Sequence, residues 1–166
     1  TVLEKSKLRA VFLTNEFDDP LSGFDTSVYV PCLRTDDLVF HLARPEVRAR
    51  LERASGISAT SAATLRQAVG KLFEHFRRHN VRACAISLPP TFAPRKVSDA
   101  AADNAIAALL PKGPSADPTC LDDAANFVFW TLAEYCQEFA LPFDLMIGVN
   151  RSVYAAGVHQ GRDLYD

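Results

Sequence analysis

The residues best suited to chemistry in this chain of 166 residues are two arginines that follow predicted strands. Arg34 lies in the segment 29–37, where Pro31 restricts the backbone and Asp36 stands two positions after the arginine. Arg151 follows a second apolar run. A guanidinium group binds a carboxylate through two parallel hydrogen bonds, so two such groups at one site indicate an anionic substrate. Asp36 is placed to orient Arg34. The alternative for these two residues is an internal ion pair, or a helix cap formed by Asp36. The alternative for Arg151 is an ordinary surface arginine.

The candidate catalytic acid and base are His159 and Asp163, because imidazole titrates near neutral pH and is the usual acid–base group there. The alternative for His159 is an ordinary loop residue. The other histidines, His41, His75 and His79, fall on predicted helices or their ends and are expected to have capping or solvent-exposed roles. The acidic doublets at 18–19, 36–37 and 122–123 are typical of turns and caps, so no metal site is predicted.

Composition and charge exclude several classes of protein. With 18 basic and 20 acidic residues, the formal charge of −2 lacks the basic excess of a nucleic-acid-binding protein. No apolar stretch approaches the roughly 20 residues that span a bilayer, and the first residues have no signal-peptide pattern, so we expect a cytoplasmic protein. The four cysteines are too far apart for zinc ligands and are expected to be reduced thiols: Cys32, Cys84, Cys120 and Cys136.

Three continuous apolar runs, 10–14, 83–88 and 143–149, predict strands of a buried parallel sheet. Helical spacing predicts helices between them. These are 45–52 ending at Gly56, 61–79, 99–110, and a last helix capped by Thr119 or Asp122 and ended by Pro142. The long irregular piece 15–41 carries aromatic anchors and is predicted to be an ordered loop.

This order of strands and helices predicts an α/β fold with parallel strands, covering helices and right-handed crossovers. Three strands cannot close a (β/α)8 (TIM) barrel, which needs eight. The alternatives for residues 1–166 are therefore a single small α/β domain or a fragment of a larger (β/α)8 barrel.

Three short motifs resemble the central segment of the uronate (glucuronate) isomerases of the amidohydrolase superfamily. Residues 11–14 followed by 18–20 resemble that family's strand and TDDP segment, with extra residues before the aspartates. Residues 31–36 keep the Pro, Arg and Asp of P-T-F-R-P-D. Residues 146–151 keep the Ile, Gly and Arg of H-I-G-A-x-R. The order of these motifs is also that of the family.

The resemblance implies a partial (β/α)8 barrel and an enzyme of carbohydrate metabolism. Its reaction would be an aldose–ketose isomerisation of a sugar acid such as glucuronate, which formally is an intramolecular oxidoreduction. By the motif match, Arg34 would hold the sugar carboxylate, Asp36 would orient Arg34, and Arg151 would lie at the rim of the site.

The sequence also departs from the family. Met146 stands at the position of the family's strand histidine, and a thioether is a poor ligand for the zinc or manganese that full-length members would hold. The paired histidines of the family's first strand have no counterpart in the chain. No cofactor is therefore predicted, and the isolated segment is expected to be inactive.

Two other functions remain open, a non-catalytic sugar-acid binding module and a metal-dependent hydrolase of the same superfamily. A barrel segment would expose strand edges and apolar helix faces. We therefore expect self-association or a homo-oligomer, with Phe127, Phe129 and Trp130 as the contact residues.

Overall fold

The computed structural model describes residues 5–148, in which short parallel strands form two adjoining sheets. The strands are β1 (Val11–Phe12), β2 (Asn15–Glu16), β3 (Tyr29–Val30), β4 (Cys32–Arg34), β5 (Ala83–Leu88) and β6 (Phe143–Ile147). β1 pairs with β3, and the larger sheet has the order β2-β4-β5-β6, with every pair parallel. Pro31 has no N–H to donate and separates β3 from β4.

Within the described part of the chain, five helices and one 3₁₀ turn connect these strands. The helices are α1 (Asp36–Phe40), α2 (Pro45–Ser55), α3 (Ala62–Arg78), α4 (Asp99–Lys112) and α5 (Pro118–Glu138), with the turn at Gly113–Ser115. Gly56 ends α2 in the left-handed conformation, as predicted. Ser61 caps α3 in a capping box with Thr64. None of the helices within residues 5–148 has the length and apolar composition of a membrane span.

The predicted cap of α5 was wrong, because Asp117 occupies the N-cap instead of Thr119 or Asp122. The Asp117 carboxylate accepts a hydrogen bond of 2.8 Å from the backbone N–H of Thr119. Pro118 then takes the first helical position, where its fixed φ fits and its missing N–H costs nothing.

The prediction of a long ordered loop over 15–41 needs correction, since β2, β3, β4 and α1 all lie in this segment. Only 17–28 is irregular, and Phe17 and Leu21 anchor it in the core. Strands of two or three residues are too short to show a periodic pattern. Their existence depends on the neighbouring strands that pair with them.

The structure confirms the predicted α/β fold of parallel strands with flanking helices. Side chains on a strand alternate between the two faces of the sheet. On one face, Leu33, Cys84, Ile86 and Leu88 are buried in the main core with residues of α3 and α5. The register places Glu16, Arg34, Ala85 and Asp144 in a row on the other side. We call this side the Arg34 face.

Two of the three aromatic residues predicted for exposed contacts are buried. Phe127 and Phe129 lie in the core, where the Phe129 ring packs 5.5 Å from that of Phe143. Trp130 is half-buried beneath the ammonium group of Lys96, 4.0 Å from the ring centroid. Among the described residues, the two most exposed large apolar side chains belong to strands at the sheet edges, with Phe12 63% and Ile147 78% exposed.

Candidate functional site

The candidate site lies at the carboxyl end of β4, where Arg34 is the last residue of the strand. Ligands of parallel α/β proteins bind beyond the carboxyl ends of the strands. Arg34 pairs in register with Glu16 of β2 and Ala85 of β5, and its side chain is 40% exposed. The guanidinium group therefore remains accessible on the Arg34 face.

Two carboxylates hold the Arg34 side chain, and both contacts are long. Nε donates to Oδ2 of Asp36 at 3.3 Å, and Nη1 donates to Oε1 of Glu16 at 3.3 Å. The other oxygen of Asp36 accepts from the backbone N–H of Ser87 at 3.4 Å, which links Asp36 to β5. Charge-assisted hydrogen bonds are usually about 2.7–2.9 Å. Nη2 of Arg34 makes no hydrogen bond with any residue of 5–148. Its N–H groups are therefore available to donate to a bound anion.

A second arginine, Arg50 of α2, lies beside Arg34 and is saturated by carboxylates. It donates to both oxygens of Asp18, at 2.8 and 2.6 Å, and to Oδ2 of Asp37 at 2.6 Å. The hydrogen bond from Arg50 is the main cause that lowers the pKa of Asp18. Sequence reasoning missed Arg50; the acidic doublets at 18–19 and 36–37 were the only local signal for it.

The two arginines and four carboxylates of this cluster carry a net charge of −2. The carboxylates are Glu16, Asp18, Asp36 and Asp37. A net negative charge opposes the binding of an anion, so a ligand carboxylate would have to replace Glu16 beside Arg34. That exchange is feasible because Glu16 is 46% exposed and its contacts with the two arginines are 3.3 and 3.4 Å long. Exposed ion pairs of this kind contribute about 0–1 kcal/mol.

The other predicted site residues, Arg151, His159 and Asp163, lie outside the described residues, so their convergence with Arg34 stays a prediction.

Met146 of β6 pairs with Ser87 of β5. It is two positions after Asp144, so both residues lie on the Arg34 face. No group of three or more histidine, cysteine or carboxylate side chains within 5–148 could hold a metal ion. The thioether of Met146 stands where the resemblance places a histidine, and it is a poor ligand for zinc or manganese.

A cavity of about 520 Å³ lies apart from Arg34, between the end of α1, the loop after β5 and the start of α5. Its walls are mostly apolar, with Val39, Phe40, Leu42, Phe92, Leu109 and Leu121 among the lining residues. Glu16, Arg34 and Asp36 do not line it. The Arg34 site is therefore a separate, open surface at the end of the sheet.

The fold resembles those of solved isomerase structures. A uronate isomerase from Thermotoga maritima superimposes with a TM-score of 0.74 and 17% identity, covering 87% of this chain and 34% of that chain. A glucuronate isomerase from Caulobacter crescentus gives a TM-score of 0.73 and 15% identity, covering 89% and 32%.

The chain thus spans about a third of the length of these structures. No protein-family model and no curated protein matches the sequence. The likeness confirms, at the level of the fold, the resemblance carried by the sequence motifs.

Proposed function

We propose that this segment holds the substrate carboxylate in a sugar-acid isomerase that interconverts an aldose such as glucuronate with its ketose. The observation that carries the proposal is the Arg34 guanidinium group. It is exposed at the end of a parallel strand, incompletely hydrogen-bonded, and held by Asp36. The similarity of the fold to uronate and glucuronate isomerases supports it.

In this proposal the sugar carboxylate replaces Glu16 and accepts hydrogen bonds from Nη1 and Nη2 of Arg34. Asp36 keeps its contact with Nε, so the plane of the guanidinium group stays fixed while the ligand binds. Two parallel charge-assisted hydrogen bonds orient the sugar as well as bind it. Orientation is what the reaction needs, because a base must reach one particular C–H bond.

The isomerisation moves one proton between two carbons. A base takes the proton from C2 of the aldose while the carbonyl oxygen on C1 gains one, which gives an enediol. The hydroxyl proton on O2 is then lost as a proton is delivered to C1, and the ketose forms. His159 and Asp163 are the proposed acid–base residues, and Arg151 is the proposed second cation that stabilises negative charge on oxygen.

The test is an isomerase assay of the protein that contains this segment, with glucuronate and galacturonate as substrates and ketose formation followed by NMR. We expect Arg34→Ala to lower kcat/KM about 10–150-fold, the equivalent of about 1.5–3 kcal/mol for hydrogen bonds to a charged group. Arg77→Ala, an exposed arginine of α3, is the matched control and should leave kcat/KM unchanged. Absence of ketose with both sugars, or an unchanged kcat/KM in Arg34→Ala, would contradict the proposal.

A second candidate is a module that binds the sugar acid without converting it. The position of Met146 on the Arg34 face favours it, because a thioether can neither transfer a proton nor hold a hard metal ion. Calorimetry would then show saturable glucuronate binding that Arg34→Ala abolishes, with no ketose formed. A metal-dependent hydrolase would instead require stoichiometric zinc or manganese in the purified protein.

A further inference from the structure

Two histidines lie one turn apart at the end of α3. The ring centroids of His75 and His79 are 4.7 Å apart, and the ring planes make an angle of 52°. Residues four positions apart share one face of a helix. Two histidines at this spacing on a helix form the zinc-binding pair of H-E-x-x-H metalloproteases. The spacing therefore allows both rings to bind one metal ion.

Each ring already uses one nitrogen in a hydrogen bond to a main-chain carbonyl group. Nε2 of His75 lies 3.2 Å from the carbonyl oxygen of Asp19, and Nδ1 of His79 lies 2.9 Å from the carbonyl oxygen of His75. A carbonyl oxygen only accepts, so these nitrogens carry the hydrogens. In the neutral rings the lone pairs are left on Nδ1 of His75 and Nε2 of His79. Metal-binding histidines usually donate their other N–H to a carbonyl or carboxylate in this way.

The distance between the rings suits a particular coordination geometry. A metal ion about 2.0–2.1 Å from one nitrogen of each ring lies about 3.2 Å from each ring centroid. With the centroids 4.7 Å apart, the two rings then subtend an angle of about 95° at the metal ion. Neighbouring ligands in square-planar and octahedral complexes are about 90° apart, and Cu²⁺ and Ni²⁺ prefer tetragonal sites with nitrogen ligands.

We propose that His75 and His79 form a binding site for one late transition-metal ion of the Ni²⁺ or Cu²⁺ class. The site is independent of the proposed sugar-acid function. The partial negative charge at the C-terminal end of α3 favours a cation there. The carboxylate of Asp19 accepts from Asn15 and from the backbone N–H of Leu21, and no third histidine, cysteine or carboxylate within 5–148 completes a metal-binding group with the two histidines.

Water completes the coordination, since within residues 5–148 the two histidines are the only protein ligands that this arrangement supplies. The positive charges of Arg77 and Arg78, which are neighbours in sequence, repel a bound cation. Arg78 donates to the carbonyl oxygen of Glu74 and lies 3.8 Å from its carboxylate. We therefore expect an affinity in the micromolar range, far below that of a closed four-ligand site.

The test is a calorimetric titration of the protein with Ni²⁺ in a buffer free of chelating groups. We expect one Ni²⁺ per chain, with at least tenfold weaker binding in both His75→Ala and His79→Ala. His41→Ala, which changes a histidine at the end of α1, is the matched control and should bind Ni²⁺ as the unchanged protein does. No binding up to millimolar Ni²⁺, or unchanged affinity in either variant, would overturn the proposal.

His75→Ala also removes the hydrogen bond to Asp19, so a second measurement uses the unchanged protein. Paramagnetic Ni²⁺ at a small fraction of the protein concentration should broaden the imidazole NMR signals of His75 and His79 together. The signals of His41 should remain sharp. Broadening of only one of the two rings, or of neither, would also overturn the proposal.

Discussion

Arg50 of α2 binds the carboxylate of Asp18 with two nitrogens, at 2.8 and 2.6 Å, although the two residues are 32 positions apart. The same guanidinium group donates to Asp37 at 2.6 Å and lies 4.6 Å from the centroid of the Phe17 ring. One side chain thus connects the irregular segment after β2 to both α1 and α2. This connection holds the charged surroundings of the candidate site in place.

Replacing Arg50 is expected to destabilise the fold. Arg50→Ala leaves the part-buried carboxylates of Asp18 and Asp37 without their hydrogen-bond donor, which should cost about 1–3 kcal/mol. Urea unfolding measures the difference in free energy. Arg53→Ala, an exposed arginine of the same helix, is the control and should change stability by less than about 0.5 kcal/mol. Equal effects of the two substitutions would show that the contacts of Arg50 contribute nothing to stability.

The pair also makes stability depend on pH. Hydrogen bonding to Arg50 lowers the pKa of Asp18 below its ordinary value of 3.8. The folded protein therefore binds this proton less readily than the unfolded chain does, and the stabilisation is complete above the unfolded pKa. It is lost as the pH falls through the lower, folded pKa. Between pH 5 and pH 2, unfolding experiments should show a steeper loss of stability in the unchanged protein than in Asp18→Asn, and parallel curves would refute the pairing.

Gly70 is expected to resist substitution by alanine, although alanine normally favours a helix by about 1 kcal/mol. A Cβ at Gly70 would lie 2.6 Å from the hydroxyl oxygen of Tyr135 and 3.0 Å from ring atom Cζ. That hydroxyl group donates to the carbonyl oxygen of Arg66 at 3.0 Å, so the ring cannot move without breaking this bond. Gly70→Ala should therefore destabilise α3.

A double-mutant cycle separates this clash from an effect on the helix alone. In the Tyr135→Phe protein the nearest atom is gone, and Gly70→Ala should be less costly there by about 0.5–3 kcal/mol. Thermal and urea unfolding of the four proteins gives the coupling energy. An additive result would mean that Tyr135 is not what excludes a side chain at Gly70.

The four free cysteines should differ in reactivity. Burial, and then the neighbouring thiol of Cys136, raises the pKa of Cys84, and burial together with Asp144 raises the pKa of Cys32. Less thiolate forms at a given pH, so both should react slowly. Cys120 is only half-buried. Alkylation with iodoacetamide at pH 8, followed by peptide mass spectrometry, should label Cys120 first and Cys84 last; rapid labelling of Cys84 would contradict its burial.

Self-association is expected at the edge of the sheet rather than through the aromatic residues of α5. Met146 and Ile147 of β6 are exposed, and unpaired strand edges readily pair with other strands. Light scattering should show a concentration-dependent mass that Ile147→Lys lowers. Leu110→Lys, an exposed apolar position on α4, is the control and should not lower it. A constant monomer mass in the unchanged protein would rule out this contact.

The sequence by itself determined the helices α2 to α5 and the approximate positions of β5 and β6. These depend on local properties: the spacing of apolar residues and the left-handed conformation available to Gly56. The motif around Arg34 was likewise visible, because Arg34 and Asp36 are two positions apart and contact each other directly.

Only the tertiary structure decided which distant residues meet. Pairing with other strands makes β3 and β4 out of a segment that looked like a loop, and packing against β6 buries Phe129. The same holds for Arg50 and Asp18, which are 32 positions apart in different elements, so no local pattern relates them. Local patterns show which face of an element is apolar, but the energy of a charge pair depends on a partner that only the folded chain brings near.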